Sequence, residues 1–182
     1  ILEQIKYEKT PVIFVSGHFS NFELMAMQIE KSGVDLAAVY RPLNNIFLNV
    51  FMESIRKKYI CKNQIKKGTG GVRELLRLYK NGHSIALMID QRVSEGIKSK
   101  FFNEYAFTTT IPAQFIKKFD CKVVPIYIER CNEINFDIKI EKPIEFSKDA
   151  SREKITRDLN IWLEKMILKN PGKWIWSHDR WK

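Results

Sequence analysis

The stretch Val12-Ile13-Phe14-Val15-Ser16-Gly17-His18-Phe19-Ser20-Asn21-Phe22-Glu23 decides how the chain is read. Its β-branched and aromatic residues follow Pro11 and predict a buried strand over Val12–Ser16. Gly17 and His18 come next, and then a Ser-x-x-Glu pattern that opens a helix over Asn21–Lys31, closed by Gly33. A buried strand running at once into a helix is the repeating step of an α/β fold.

The alternation continues along the chain. Strands are expected at Asp35–Tyr40, Ser84–Asp90, Lys122–Glu129 and Ile134–Glu141, the last two as an antiparallel pair. Helices are expected at Ile1–Lys9, Asn44–Tyr59, Gly71–Lys80, Ile111–Phe119 and Ser151–Lys169. The stretch Gln91–Phe107 reads as polar and irregular, with Phe101, Phe102, Tyr105 and Phe107 scattered through it. The fold class that follows is α/β, with a mixed, largely parallel sheet flanked by helices. With 182 residues, no internal repeat and no linker, one domain is expected over 1–182. The helix Asn44–Tyr59 carries Leu48, Phe51, Met52, Ile55 and Tyr59 on one stripe, widened by Ile46, Phe47 and Val50. That face is expected in the core.

Chemistry in such sheets gathers beyond the carboxyl ends of strands. Three polar clusters fall there: Gly17–Glu23, Arg41, and Asp90-Gln91-Arg92. In the first, a carboxylate follows a histidine by five residues across a strand-to-helix turn. Glu23 bound to one nitrogen of His18 would fix its tautomer, leaving the other nitrogen to take a proton from a hydroxyl. The competing reading makes Ser20 and Glu23 an ordinary capping box. Gly71 and Arg73 open a helix, a natural anion site, or serve only a turn and a solvated face. The cluster Gly68-Thr69-Gly70-Gly71 is no nucleotide loop: it lacks the Gly-Lys-Ser/Thr of a P-loop.

Composition narrows the partners. The formal charge is +10, shared equally by the two halves of the chain, so the globule as a whole is basic. It favours nucleic acid, an acidic protein or anionic lipid. A nucleic-acid-binding module is a competing reading from charge and aromatics, but no recognition motif supports it. Cys61, Cys121 and Cys131 show no CxxC spacing and read as reduced thiols; no metal or other cofactor is expected. Arg56, Lys57, Lys58, Lys62, Lys66 and Lys67 have no acid between them and suit an anionic membrane surface, an acidic protein, or plain solvent. No apolar run reaches membrane-spanning length, and the chain opens at Ile1 inside a charged helix. It is expected to be a piece of a longer protein, with an anchor or targeting segment upstream.

Six ordered blocks carry a resemblance. They are His18-x4-Glu23 with Asn21-Phe22-Glu23; Tyr40-Arg41-Pro42-Leu43-Asn44-Asn45; Gly70-Gly71-Val72-Arg73-Glu74-Leu75-Leu76; Asp90-Gln91; Phe101-Phe102-Asn103 with Thr108-Thr109-Thr110; and Trp174-Ile175-Trp176-Ser177-His178-Asp179-Arg180-Trp181. Together they resemble the late acyltransferases of lipid A biosynthesis, the lauroyl/myristoyl type, within the lysophospholipid and glycerol-phosphate acyltransferase superfamily. Asn103 departs from the glycine the family often has there.

The resemblance implies a glycerol-phosphate-acyltransferase-like fold and an O-acyltransferase at the cytoplasmic face of the bacterial inner membrane. The donor would be an acyl carrier protein thioester or acyl-CoA. The acceptor would be a hydroxyl of a lipid A precursor, or of another glycolipid or lysophospholipid. No nucleic acid is then expected as a partner. His18 would be the general base and Glu23 its partner, with no acyl-enzyme. Arg41, Gly71, Arg73 and Asp90 would serve substrate binding, Asp90 by holding Arg41 or a lysine, or by capping a loop.

Overall fold

A computed structural model describes residues 1–182, apart from the side chain of Thr69. Among the described residues six α-helices and eight strands follow in chain order: α1 (Leu2–Glu8), β1 (Ile13–Ser16), α2 (Glu23–Lys31), β2 (Leu36–Tyr40), α3 (Ile46–Ile55), β3 (Asn63–Lys66), α4 (Thr69–Lys80), β4 (Ser84–Met88), β5 (Ile97–Phe101), β6 (Glu104–Thr108), α5 (Ile111–Phe119), β7 (Val123–Arg130), β8 (Phe136–Ile140) and α6 (Arg152–Lys169). The fold is α/β, as expected: a mixed, mostly parallel six-stranded sheet in the order β3-β2-β4-β1-β7-β8, flanked by helices. Two compact units divide the chain, one of residues 1–14 and 23–87, the other of residues 15–22 and 88–182.

In the first unit β2 runs parallel to β3, with Ala37 opposite Asn63, and parallel to β4, with Leu36 opposite Ser84. Phe14, Ile29, Leu36, Leu75 and Ile85 are fully buried and form its core. Strand β3 was not expected; only Ile65 of Asn63-Gln64-Ile65-Lys66 is buried, too little apolar patterning to announce a strand. Gly71 sits where a Cβ would collide with the Lys66 carbonyl, so the start of α4 approaches the end of β3 as only glycine allows.

In the second unit β7 and β8 pair antiparallel, as expected, with Ile128 opposite Ile138. Ser151 caps α6, its Oγ accepting from the Lys154 N–H at 3.1 Å. Ile155, Leu159, Trp162, Leu163, Met166 and Ile167 are buried along one stripe of that helix. The stretch expected to be irregular contains a hairpin instead: β5 and β6 pair from Ile97↔Thr108 to Phe101↔Glu104. Its two-residue turn, Phe102-Asn103, has φ of 50° and 66°, both in the left-handed region that a tight hairpin turn requires. Asparagine tolerates that region better than most residues, so it can stand at Asn103 in place of glycine. The Asn160 amide, on α6, binds Ser99 Oγ, the Lys100 carbonyl and Thr108 Oγ1 and ties the hairpin down.

Helix α3 departs most from expectation. Its apolar stripe was expected in the core, yet none of its residues is buried. Phe47 is 87% exposed and Ile46 77%. Past Ile55 the helix widens into a π turn, Arg56–Ile60, closed by a bond from the Cys61 N–H to the Arg56 carbonyl at 2.9 Å.

Candidate active site

Strand β1 ends at Ser16, and the chain then turns sharply. The Ser16 hydroxyl donates to the Ile126 carbonyl on β7 at 2.6 Å, and the Ser16 carbonyl accepts from the Ile89 N–H at 2.9 Å. These bonds fix the end of β1 against the residue before Asp90. Gly17 has no room for a side chain: a Cβ would lie 2.9 Å from Leu163 Cδ1 and 3.0 Å from the Phe19 ring. Ser20 takes a φ of 43°, another positive value forced by the tightness of the turn. From outside the turn, Lys173–Ile175 clamps the backbone. The Ser20 N–H donates to the Lys173 carbonyl at 2.8 Å, and the Ile175 N–H to the His18 carbonyl at 3.0 Å. Phe19 pairs with Trp174 as an isolated antiparallel bridge. The tryptophan-rich C-terminal motif therefore braces the histidine turn.

His18 is held by Asp90. Its Nδ1 lies 2.7 Å from Asp90 Oδ1, and its backbone N–H donates to Asp90 Oδ2 at 2.8 Å. The Trp174 indole N–H donates to the same Oδ2 at 2.9 Å. Asp90 is 2% exposed. Burial alone pushes its carboxyl upward. The bond from the His18 ring, the charge of that ring, the His18 N–H and the Trp174 N–H outweigh burial and hold it below the usual carboxylate range. An ionised carboxylate only accepts, so the hydrogen of this bond is carried by His18 Nδ1; a ring bonded in this way, when it holds a single proton, has its lone pair on Nε2. The His18 side chain is 16% exposed, and its ring meets Phe22 edge-on, centroids 4.6 Å apart.

The bond to the His18 ring expected of Glu23 is made here by Asp90. Glu23 opens α2, and its Oε1 accepts from Arg56 Nε at 2.9 Å and Nη2 at 2.6 Å. Nor is the capping-box alternative formed through Ser20, whose buried Oγ has no hydrogen-bond partner. Beside the Glu23–Arg56 pair a second network closes. Glu53 Oε1 accepts from the Tyr40 hydroxyl at 2.5 Å and from Asn49 Nδ2 at 2.7 Å, with Lys66 Nζ 3.3 Å away. Those bonds, that of Tyr40 first, hold the Glu53 carboxyl down to about 2. The Arg56 guanidinium also lies 5.6 Å from the centre of the Tyr40 ring.

The other expected residues are more scattered in role. Asp90 was assigned to Arg41, a lysine or a loop cap, and its carboxylate instead serves His18 and Trp174. Arg41 and Arg73 are exposed, following β2 and within α4. Gly71 serves the approach of α4 to β3. Arg180 was missed as a structural element. It is fully buried, donates to the Phe107 carbonyl and to Thr108 Oγ1, both at 2.6 Å, and lies 5.0 Å from the centre of the Phe101 ring. Burial lowers its guanidinium to about 10, opposed by the Asp90 charge. The His178 ring accepts from the Arg92 N–H at 3.1 Å. The sequence signal for the Asp90 pairing was present: a carboxylate just past a buried strand, in the same position relative to β4 as His18 has to β1.

A buried carboxylate holding an imidazole whose second nitrogen carries a lone pair is a general-base arrangement. Comparison with known proteins agrees with the sequence resemblance. Over 180 residues the chain is 21% identical to "Lipid A biosynthesis acyltransferase 2" of Shigella flexneri, a match that takes in 97% of this chain and 57% of that relative. The chain thus spans little more than half the length of the curated relative. The family described as "Bacterial lipid A biosynthesis acyltransferase" matches all of residues 1–182, and the chain belongs to that family.

Proposed function

We propose that this chain is the catalytic part of an O-acyltransferase that moves a fatty acyl group from an acyl carrier protein thioester to a hydroxyl of a lipid A precursor, at the cytoplasmic face of the inner membrane. The observation that carries the reading is the His18 Nδ1–Asp90 bond, within a chain of this family. His18 Nε2 takes the proton of the acceptor hydroxyl as its oxygen attacks the thioester carbonyl. The tetrahedral intermediate collapses, the carbon–sulfur bond breaks, and the imidazolium returns its proton to the leaving thiolate. Asp90 keeps the ring in the productive tautomer and stabilises the imidazolium, acting through His18 as a positioning residue. No enzyme nucleophile is needed; no GxSxG elbow surrounds Ser16.

In this reading Glu23 acts together with Arg56, as a paired carboxylate at the start of α2. Arg41 and Arg73 are exposed cations suited to phosphate on either substrate. Acyl-CoA as donor, or another glycolipid as acceptor, would use the same base. The test is product formation from acyl carrier protein thioester and lipid A precursor, followed by mass spectrometry, for the full-length protein and its His18→Ala variant. Loss of about 10³-fold or more in turnover is expected for a removed general base. Unchanged turnover would overturn the reading.

A further inference from the structure

Helix α3 is built inside out. Its polar residues Asn49 and Glu53 turn inward to Tyr40, and Arg56, one turn on, reaches Glu23. Its apolar residues turn outward: Ile46, Phe47, Val50 and Phe51 are 77%, 87%, 66% and 62% exposed. They recur at i, i+1, i+4 and i+5, so they form one ridge along the helix. A helix facing water shows the opposite pattern, charged outward and apolar inward. Scattered exposed apolar residues are ordinary, but a contiguous ridge marks a surface that leaves water.

Charge identifies what the ridge enters. From residue 41 to residue 67 the sequence holds seven lysines and arginines and one acid. That acid, Glu53, is spent on Tyr40, Asn49 and Lys66. Lys57, Lys58, Lys62 and Lys67 are exposed in the turns that follow the ridge. An apolar ridge with a cationic margin matches an anionic bilayer: phenylalanine and aliphatic side chains enter the acyl boundary while lysines reach headgroup phosphate. An acidic protein would engage the lysines and leave the ridge in water. Among the described residues no helix is long and apolar enough to cross a membrane, so such a contact would lie in the plane of the interface.

We propose that α3 and the basic segment after it are a bilayer-docking surface, inserting Ile46, Phe47, Val50 and Phe51 into a membrane of anionic lipid. The proposal rests on the transferase reading for its purpose, delivering the site to a membrane-borne acceptor, but its test does not depend on that reading.

The experiment is vesicle co-sedimentation of the purified chain with phosphatidylcholine alone and with an equal mixture of phosphatidylglycerol and phosphatidylethanolamine. The wild-type chain and His18→Ala should bind the anionic vesicles equally. Phe47→Ser with Phe51→Ser should weaken binding about tenfold or more. Lys57→Gln with Lys58→Gln should weaken it on anionic vesicles about fivefold per lysine removed, with little change on phosphatidylcholine. These side chains are exposed, so an unchanged melting temperature confirms that each variant folds. Equal binding by wild-type and Phe47→Ser/Phe51→Ser would overturn the proposal. So would a wild-type chain that ignores vesicles, and so would a dimer in light scattering that the same double substitution makes monomeric, since a second copy would then cover the ridge. Vesicle binding by a wild-type full-length protein that shows no acyl transfer would count against the transferase reading and leave the docking surface standing.

Discussion

Asp90 grips His18 at two points, through the ring Nδ1 at 2.7 Å and the backbone N–H at 2.8 Å. A carboxylate bound both to an imidazole and to the peptide that carries it fixes the ring's position as well as its protonation. Trp174 supplies the third bond to that carboxylate and, through its bridge to Phe19, the outer wall of the turn.

This pairing predicts an acid-dependent loss of stability. Asp90 loses its proton more readily in the folded chain than in the unfolded one, because the donated bonds of His18 and Trp174 prevail over burial. The stability it contributes is complete above the ordinary aspartate value of about 4 and disappears as pH falls below that, through its lowered folded value. At neutral pH Asp90→Asn should cost about 1–3 kcal/mol, since charged hydrogen bonds are lost. The gap between wild-type and Asp90→Asn should close as the acid range is entered. Urea unfolding of both proteins across that range measures it; a gap independent of pH would contradict the assignment.

The ring itself can be observed. With three histidines in the chain, His83→Gln and His178→Gln assign the His18 signals in a long-range ¹⁵N–¹H spectrum. Neutral His18 should carry its proton on Nδ1 and show a bare Nε2. In Asp90→Asn the preference should relax. A wild-type ring protonated on Nε2 instead would remove the proposed base.

The Glu23–Arg56 pair is half-buried, with side-chain exposures of 26% and 14%. Arg56→Ala should destabilise the chain by about 1–3 kcal/mol, because it strands a carboxylate and the Tyr40 ring. Glu23→Gln and Arg56→Ala should not add: the double variant should cost clearly less than the sum of the two. Additive costs in a double-mutant cycle would show that the two groups are not coupled.

Gly17 predicts a packing effect. In Gly17→Ala the new methyl meets Leu163 and Phe19 closer than van der Waals contact. Thermal unfolding should show a loss of about 1–3 kcal/mol. Gly17→Ala combined with Leu163→Ala should recover part of the contact strain while adding its own cavity cost, so the two effects should again be non-additive.

Much of the fold was legible because the periodicities were clean. The stripe of α6 and the buried run of β1 each have one interpretation. The β5–β6 hairpin was harder, although Ile97-Lys98-Ser99-Lys100-Phe101 alternates. Its inward positions include Ser99 and Thr108, polar residues that can be buried only because Asn160, far along the chain, bonds to them. Helix α3 was legible as a helix, but period alone does not say what lies against an apolar face. The same limit governed the site. Glu23 is five residues from His18 and Asp90 is 72 away. Local spacing favoured the near carboxylate; the sheet brings the far one to the ring through the Ser16–Ile89 bond.

The most direct test of the account removes the Asp90 carboxylate in the full-length protein and follows initial rates of acyl transfer from carrier-protein thioester to lipid A precursor. Asp90→Asn should lose about 10³–10⁴-fold in turnover with little change in KM, the signature of an imidazole held in the wrong tautomer. Turnover of Asp90→Asn within a few fold of wild type, with His18→Ala inactive, would show that His18 works without Asp90 and would contradict the account.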